Sequence, residues 1–474
     1  MSRPASSAPR SLPRPGRDTA PPAADPRRPH ERPHVVFATY HFAPRGGIGS
    51  IRATAFARGL LARGWDVTVV TTAAPPRGGV GPHVGVEPLP EKRAQAGLEV
   101  VRVSASPRRF RLPAAVAGLF DPFCCEPPEE AEWARTAVAP VREALVRRPG
   151  SLLYVGAQPY SAAALGTALA EECGVRWVLD LADPWVLDEA RRYRSVLHYL
   201  AERRAFLRAL GSADRVVANT PDAAHCLARA VPSCRERLTV VTNGFDRSLM
   251  PLRWDTRPRG ARPFTLCHLG MLGPLPRRAR WNPLRFRPYA TSLEARGPRP
   301  FLAALAAACS VDPRLAHEVR LVVVGPSTPG DLAAVEQAGL ADRVAWTGML
   351  PHAEALREAA SADLMVLLQQ AAPAGHRVRS VRAKLYEYMG LRKPLLACVP
   401  EGDGCDFAQQ YGGAYVCAPD DVGQIAEALL AAHRDWRDGR EPEIQDWFVD
   451  RFEREALVEQ LDGCLRTLRE GRVA

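Results

Sequence analysis

Residues 381–397 read VRAKLYEYMGLRKPLLA, and this stretch decides the fold. Lys384 and Glu387 stand three apart and share one helical face, while Leu385, Tyr388 and Met389 cover another. Gly390 ends the helix, and Pro394 opens LLACV, a short all-apolar run of the parallel-strand type. A helix that buries one face and leads into a buried strand belongs to an open α/β sheet. In such sheets ligands bind beyond the carboxyl ends of the strands, against helix N-termini that favour phosphate. A lysine for phosphate and a glutamate for a sugar hydroxyl fit a nucleotide there. Spacing alone leaves a second reading open, an i,i+3 surface ion pair worth about 0.2–0.5 kcal/mol.

Outward from this stretch, the chain of 474 residues is long enough for two α/β domains, each with a full core. Hydrophobic content of 46% is ordinary for a globular protein, and no uninterrupted apolar run approaches the length of a membrane span. The net charge of +11 has an uneven source, because the first 33 residues hold seven arginines against Asp18, Asp25 and Glu31. The moderately basic remainder suits anionic substrates, an anionic membrane surface or nucleic acid, so charge alone selects none of them. The eleven cysteines are scattered without a C-x-x-C pair, and Cys267, Cys309 and Cys398 sit in apolar runs. They read as reduced core thiols of a cytoplasmic protein, with the adjacent Cys124 and Cys125 structural or incidental.

Residues 1–33 contain nine prolines and no apolar run, and are expected to form a disordered Pro/Arg-rich tail without the apolar core of an export signal. From His34 short apolar runs alternate with amphipathic segments, the pattern of βαβ units and a mainly parallel sheet. Strands are expected near 34–39, 67–72, 98–103, 151–155, 176–180, 215–218 and 238–242 in a first domain, 34–246. A Pro- and Arg-containing linker, 247–262, leads to a second domain, 263–435, with strands near 264–269, 319–324, 343–347, 363–368, 394–399 and 414–417. The tail, 436–474, ends in an amphipathic helix over about 452–469.

Three further stretches carry chemistry. In FAPRGGIGSIRATAFARGL, residues 42–60, Gly46, Gly47 and Gly49 lead from the first strand into a helix, where a backbone without Cβ can approach a phosphate or sugar. In WVLDLADPWVLDEARRYRS, residues 177–195, Asp180 and Asp183 stand at a strand end, placed to act as general base or to hold acceptor hydroxyls. Asp183 equally suits the cap of a helix that opens at Pro184. The segment 189–210 is amphipathic, with Arg191, Arg192, Arg194, Arg203, Arg204 and Arg208 beside Leu197, Leu200, Phe206 and Leu207. It reads either as a solvated helix packed on its own domain or as a surface for anionic lipid. Residues 274–300 hold seven arginines and Trp281, yet no repeated aromatic platform, which argues against single-stranded nucleic acid as a partner.

KLYEYMGLRKPLLA, residues 384–397, resembles the nucleotide-sugar segment of GT-B glycosyltransferases of the family 4 type, written S-K-x-x-E-Y followed by G-K-P. The resemblance runs from about residue 34 to 470 and implies two Rossmann-like parallel-sheet domains facing a cleft, with the tail crossing back onto the first domain. It implies a donor site of Lys384 and Glu387, the latter on the ribose. Pro44, Gly46, Gly47 and Arg52 match the family's glycine loop, with Gly47 against the donor and Arg52 pointing into the cleft. FTLCHLGMLG offers Gly270 and Gly273 to the diphosphate, joined there by one of Arg277, Arg278 or Arg280. In VAWTGMLPHAEAL the backbone of Thr347, Gly348, Met349 and Leu350 meets the base, and His352 starts a helix.

On the acceptor side the stretch around Asp180 and Asp183 is similar to a D-L-R-D-P-W motif of a bacterial polysaccharide branch, with Ala182 in place of the arginine. Gln158, Pro159 and Tyr160 match an acceptor loop, and Thr220 caps the helix of RVVANTPDAA. Where relatives carry a second glutamate eight residues before Glu387, this chain has Arg379, which with Arg382 becomes a phosphate partner. The implied reaction moves a hexose from a nucleotide diphosphate sugar to a glycan or lipid-linked acceptor. It is expected to be retaining, with no bound metal and no cofactor beyond that co-substrate, in the cytoplasm, either free or peripheral at the inner face of the cell membrane. Two alternatives stand beside it. One is an inactive GT-B scaffold of a polysaccharide assembly, kept open by Ala182 and Arg379; the other is a nucleotide-sugar epimerase, disfavoured by the missing paired glutamate.

Overall fold

A computed structural model describes residues 32–73, 96–104, 123, 125–188, 191–251, 262–272, 286, 288, 298–373 and 375–471. The expectations for the tail up to residue 31, most of the linker, Cys124, Gly273, Arg277, Arg278, Arg280 and Trp281 lie outside these residues.

The first sheet contains β1 (His34–Thr39), β2 (Asp66–Thr72), β3 (Leu98–Val103), β4 (Leu152–Gly156), β5 (Trp177–Leu181), β6 (Arg215–Ala218) and β7 (Leu238–Val240). Its strand order is β3-β2-β1-β4-β5-β6-β7, with every pair parallel. The second contains β8 (Phe264–Leu269), β9 (Val319–Val324), β10 (Val344–Trp346), β11 (Leu364–Leu368), β12 (Leu395–Cys398) and β13 (Ala414–Cys417). Its order is β10-β9-β8-β11-β12-β13, again parallel. Both halves are therefore doubly wound, and each reverses its strand order at a switch point, β1/β4 and β8/β11, where such folds bind ligands.

The continuous apolar runs are explained by burial on both faces. In the first sheet Val36, Ala38, Leu153, Val155 and Leu179 face one core, while Val35, Phe37, Leu152, Tyr154 and Val178 face the other. In the second sheet Cys267, Leu269, Met365 and Leu367 alternate in the same way with Phe264, Leu266, Leu364 and Val366.

The chain crosses between domains twice, side by side. Phe245 donates its N–H to the Phe452 carbonyl at 3.0 Å, and Arg454 returns a bond to the Phe245 carbonyl at 2.9 Å. Phe452 belongs to the second domain's core, whereas Leu457, Val458, Leu461, Leu465 and Leu468 of the final helix, Arg454–Glu470, complete the first domain's core. Gly59 of the helix Ile48–Ala62 makes room for that helix, since a Cβ there would come within 2.5 Å of Val458 Cγ1.

One element differs from expectation. The helix predicted over 189–210 starts at Val196 and runs to Ser212, with the Ser195 hydroxyl as its cap. The chain before it is held in extended form, because Tyr193 exchanges backbone hydrogen bonds with Phe286 of the second domain at 2.9 and 3.1 Å. No helix among the described residues is long and apolar enough to cross a membrane.

Candidate functional site

On the second domain, the helix Ala383–Gly390 is pinned to the sheet by Leu385, Tyr386, Tyr388 and Met389, all buried. The Tyr388 hydroxyl accepts from the Leu269 N–H at 2.9 Å, which sets the helix over the carboxyl end of β8. Lys384 and Glu387 are thereby turned to the cleft, and each has a partner on another element. Lys384 Nζ donates to His268 Nε2 at 3.1 Å. Nδ1 lies 2.8 Å from the Val366 carbonyl and Nε2 3.3 Å from the Met271 carbonyl; the shorter contact holds the proton on Nδ1, which leaves the Nε2 lone pair to the ammonium. Burial, reinforced by the Lys384 charge, lowers the His268 pKa to about 3, so the ring stays neutral and Lys384 is the local cation.

Gly270 has φ +80, and a Cβ there would stand 3.2 Å from Lys384 Nζ. Gly325, after β9, packs so closely that its Cβ would meet the Gly270 carbonyl carbon at 2.6 Å. The two glycines together open the strand ends beside the lysine.

Glu387 Oε1 accepts from His352 Nε2 at 2.7 Å, across from the helix His352–Ser361. In the turn before that helix, the Thr347 N–H is spent on the Val323 carbonyl at 3.1 Å, so it is not available to a base, a correction to the expected role. Gly348 has φ +71, Met349 is half exposed, and Leu350 packs against the core.

On the first domain, Gly46 and Gly47 lead to the helix Ile48–Ala62, which has no side-chain cap. Gly47, at φ +100, is exposed, with open space where a Cβ would point. Arg52 stands at the wall of the cleft, but its N–H groups are turned inward and not toward a donor as expected. Its Nε and Nη2 donate to the two Asp180 oxygens at 2.9 and 3.0 Å, its Nη2 also to the Val241 carbonyl at 2.8 Å, and its Nη1 to the Thr242 carbonyl at 2.7 Å and Asn243 Oδ1 at 3.4 Å. All its N–H groups are engaged, so none remains for a donor. Burial pulls against this charge and Asp180 more than offsets it, so the guanidinium stays above its ordinary pKa.

Asp180 is corrected with it. It is 4% exposed, and it also accepts from the Tyr154 hydroxyl, so its oxygens are consumed in a buried strut between β4, β5 and the chain after β7. A carboxylate so enclosed positions its neighbours and does not reach a substrate.

Asp183, two residues beyond β5, is the available carboxylate. Pro184, not Asp183, precedes the short turn Trp185–Leu187, and no side-chain cap forms there. Asp183 instead accepts from Gln158 Nε2 at 2.7 Å, joining the expected acceptor loop to the expected acid. Burial and then the charge of Asp188 push its pKa up to about 6, against the pull of Arg382 and Gln158. Beside it Tyr160 stacks on Trp185 with centroids 5.2 Å apart, and Arg191 lies over the Tyr160 ring at 4.5 Å.

Of the expected phosphate partners, Arg379 Nη1 donates to the Leu187 carbonyl of the first domain at 2.7 Å, while its own carbonyl accepts from the Thr220 hydroxyl at 2.8 Å. It ties the domains together. Arg382 Nη2 donates to Gln370 Oε1 at 2.6 Å.

Both halves meet in a small pocket lined by Ile48, Ile51, Arg52, Asn243, Glu387 and Arg454. Sequence reasoning missed His268, Gly325 and Arg454 here, and the contact of His352 with Glu387. His268 and Gly325 are brought to Lys384 by strand pairing and His352 to Glu387 by its helix, although a glycine right after the apolar run VRLVVV is a readable hint for Gly325. Arg454 enters from the crossover helix. Its pKa is lowered by burial, against the pull of Asp246 and Glu387, and its Nη1 lies 3.5 Å from Asp246.

With this geometry in hand, comparison with known proteins is informative. Residues 46–244 match a family model described as a glycosyl transferase 4-like domain, and residues 293–435 one described as glycosyl transferases group 1. No curated protein matches the sequence at a significant level. Among solved structures, sucrose-phosphate synthase from Thermosynechococcus elongatus is similar over 93% of this chain and 100% of its own, at 17% identity and a TM-score of 0.62. Anabaena HepE in complex with UDP and glucose is similar over 92% and 99%, at 17% identity and a TM-score of 0.56. An α,α-trehalose-phosphate synthase (UDP-forming) from Burkholderia vietnamiensis is similar over 93% and 100%, at 12% identity and a TM-score of 0.57. At these identities the likeness speaks for the two-domain fold.

Proposed function

We propose that this chain, which belongs to the GT-B glycosyltransferases of the family 4-like type, moves a hexose from a nucleotide diphosphate sugar to a glycan or lipid-linked acceptor. The observation that carries the reading is the cleft face of Ala383–Gly390. There Lys384 stands over the glycine-opened end of β8, and Glu387 faces a pocket shared with the glycine-led helix of the other domain. The lysine and the uncapped helix N-terminus offer positive potential to a diphosphate, and Glu387, oriented by His352, offers an acceptor to ribose hydroxyls. That solved structures of this fold hold UDP with glucose supports a nucleotide-sugar donor.

In this reading Asp183 binds or activates the acceptor hydroxyl. Lys384 and the local N–H groups stabilise the leaving diphosphate without a bound metal, and the sugar is transferred with retention. The scaffold reading has one observation in its favour, that Arg379 serves as an interdomain tether where a donor-sugar carboxylate is expected.

A thermal-shift panel of UDP, GDP, ADP, dTDP and their sugars tests the proposal. Selective binding to the folded state stabilises it by about 2.7 kcal/mol at a hundredfold excess over Kd. One nucleotide series is expected to shift the melting temperature, and Glu387→Ala to remove the shift. Absence of any shift would refute the donor site; a shift without transfer or donor hydrolysis, in EDTA or with added metal, would favour the scaffold.

A further inference from the structure

The helix Val196–Ser212 buries Phe206, Ala209 and Leu210 against its own domain, yet it is apolar on its outer face as well. Val196 is 49% exposed, Leu197 72% and Leu200 50%. One to two turns further along the same stripe stand Arg203, Arg204 and Arg208, which with Leu200 and Leu207 line an open, shallow groove. The helix contains a single acid, Glu202, and it is turned inward, fully buried and bound to Trp185 Nε1 at 2.6 Å and to Arg191. The outer stripe is therefore aliphatic and then cationic, with no carboxylate of its own to neutralise it.

The kind of partner follows from what the stripe lacks. A stable protein interface buries about 1,200–2,000 Å² and is anchored by aromatic residues in pockets. Here one helix face offers aliphatic side chains and guanidinium groups. A bilayer needs no more: shallow insertion of aliphatic groups and guanidinium groups at the level of the phosphates. We infer that this face docks on an anionic phospholipid bilayer, with Val196, Leu197 and Leu200 in the acyl boundary and Arg203, Arg204 and Arg208 on the headgroups.

The position matters for function. The helix follows the loop that begins at Asp183, and Tyr199, near its start, lies 5.0 Å from Phe286 of the second domain. Its aliphatic end is thus at the cleft and its basic end away from it, so docking would present the acceptor side of the cleft to the membrane. That consequence rests on the transfer reading above; the docking does not.

Co-sedimentation of the full chain with vesicles of phosphatidylcholine alone, or mixed with phosphatidylglycerol, decides it. Binding to the anionic vesicles is expected, weakened by salt. Replacing Arg203, Arg204 and Arg208 together by Ser should lower the partition coefficient by roughly 100-fold, at about one elementary contribution per guanidinium. Leu197→Ser with Leu200→Ser should lower it by a factor that salt does not change, which separates this stripe from binding by the arginines of residues 1–33. No binding to anionic vesicles overturns the inference, and so does equal binding to neutral ones, or binding that neither variant weakens. The nucleotide shift of the same variants should match wild type. Its absence in wild type would count against the transfer reading while leaving the vesicle result intact.

Discussion

Truncating Asp180 to Ala should unfold this protein more readily than almost any other single change to a carboxylate in it. The substitution strands the Arg52 guanidinium, whose side chain is 6% exposed, and removes the acceptors of two of its bonds at 2.9 and 3.0 Å. It also takes the acceptor from the buried Tyr154 hydroxyl. Breaking a buried ion pair from one side costs about 3–5 kcal/mol, and an unpartnered hydroxyl roughly 1–3 kcal/mol. The three carbonyl and amide acceptors left to Arg52 soften the first figure, so a net loss of about 4 kcal/mol is expected. That is a large share of a typical stability of about 5–15 kcal/mol.

Urea unfolding followed by circular dichroism measures the loss. A companion variant, Arg52→Leu with Asp180→Leu, should recover most of it, because no lone charge is left in the core. Folded Asp180→Ala protein should still respond to nucleotide. A loss below about 1 kcal/mol, or full stability with transfer abolished, would refute the positioning role and return Asp180 to the chemistry.

Asp183 has a pKa pushed up to about 6 from the ordinary 3.8. Its ionisation therefore costs the folded state stability that is intact below about pH 4 and lost as pH rises to about 6. Asp183→Asn should melt higher than wild type above pH 6 and match it near pH 4, and transfer by wild type should rise with pH through about 6 while the variant shows no such limb. Lys384→Ala should weaken nucleoside diphosphates more than nucleosides in calorimetric titration, since it removes the cation beside Gly270 while Glu387 remains; equal weakening would count against a phosphate role. Gly325→Ala places a methyl 2.6 Å from the Gly270 backbone. It should cost about 1–3 kcal/mol in unfolding free energy and blunt the nucleotide shift, whereas Gly339→Ala, where φ is +67 but no atom lies within 4 Å, should leave that shift intact.

Much of the architecture is legible in the chain because parallel strands buried on both faces must be continuously apolar, and runs such as HVVFAT, VRLVVV and LLAC have no other stable home. Lys384 and Glu387 are readable for the related reason that two charges on an otherwise buried helix need a use. What depends on contacts far apart in sequence was not readable. Arg52 and Asp180 lie 128 residues apart, and either could have faced the cleft; the approach of β4, β5 and the chain after β7 closes a strut around them. Glu387 and His352 are 35 apart and meet only because two helices flank the same strand ends. The extended pairing of Tyr193 with Phe286 delays the helix to Val196, where helical periodicity alone would have begun it earlier. Sequence determined which segments become strands and which faces they bury, since hydrophobic period and burial are local properties. Tertiary structure decided which charged residues are spent inside the protein and which are left to the cleft, because a charge buried in a low-dielectric core persists only where packing supplies its partner.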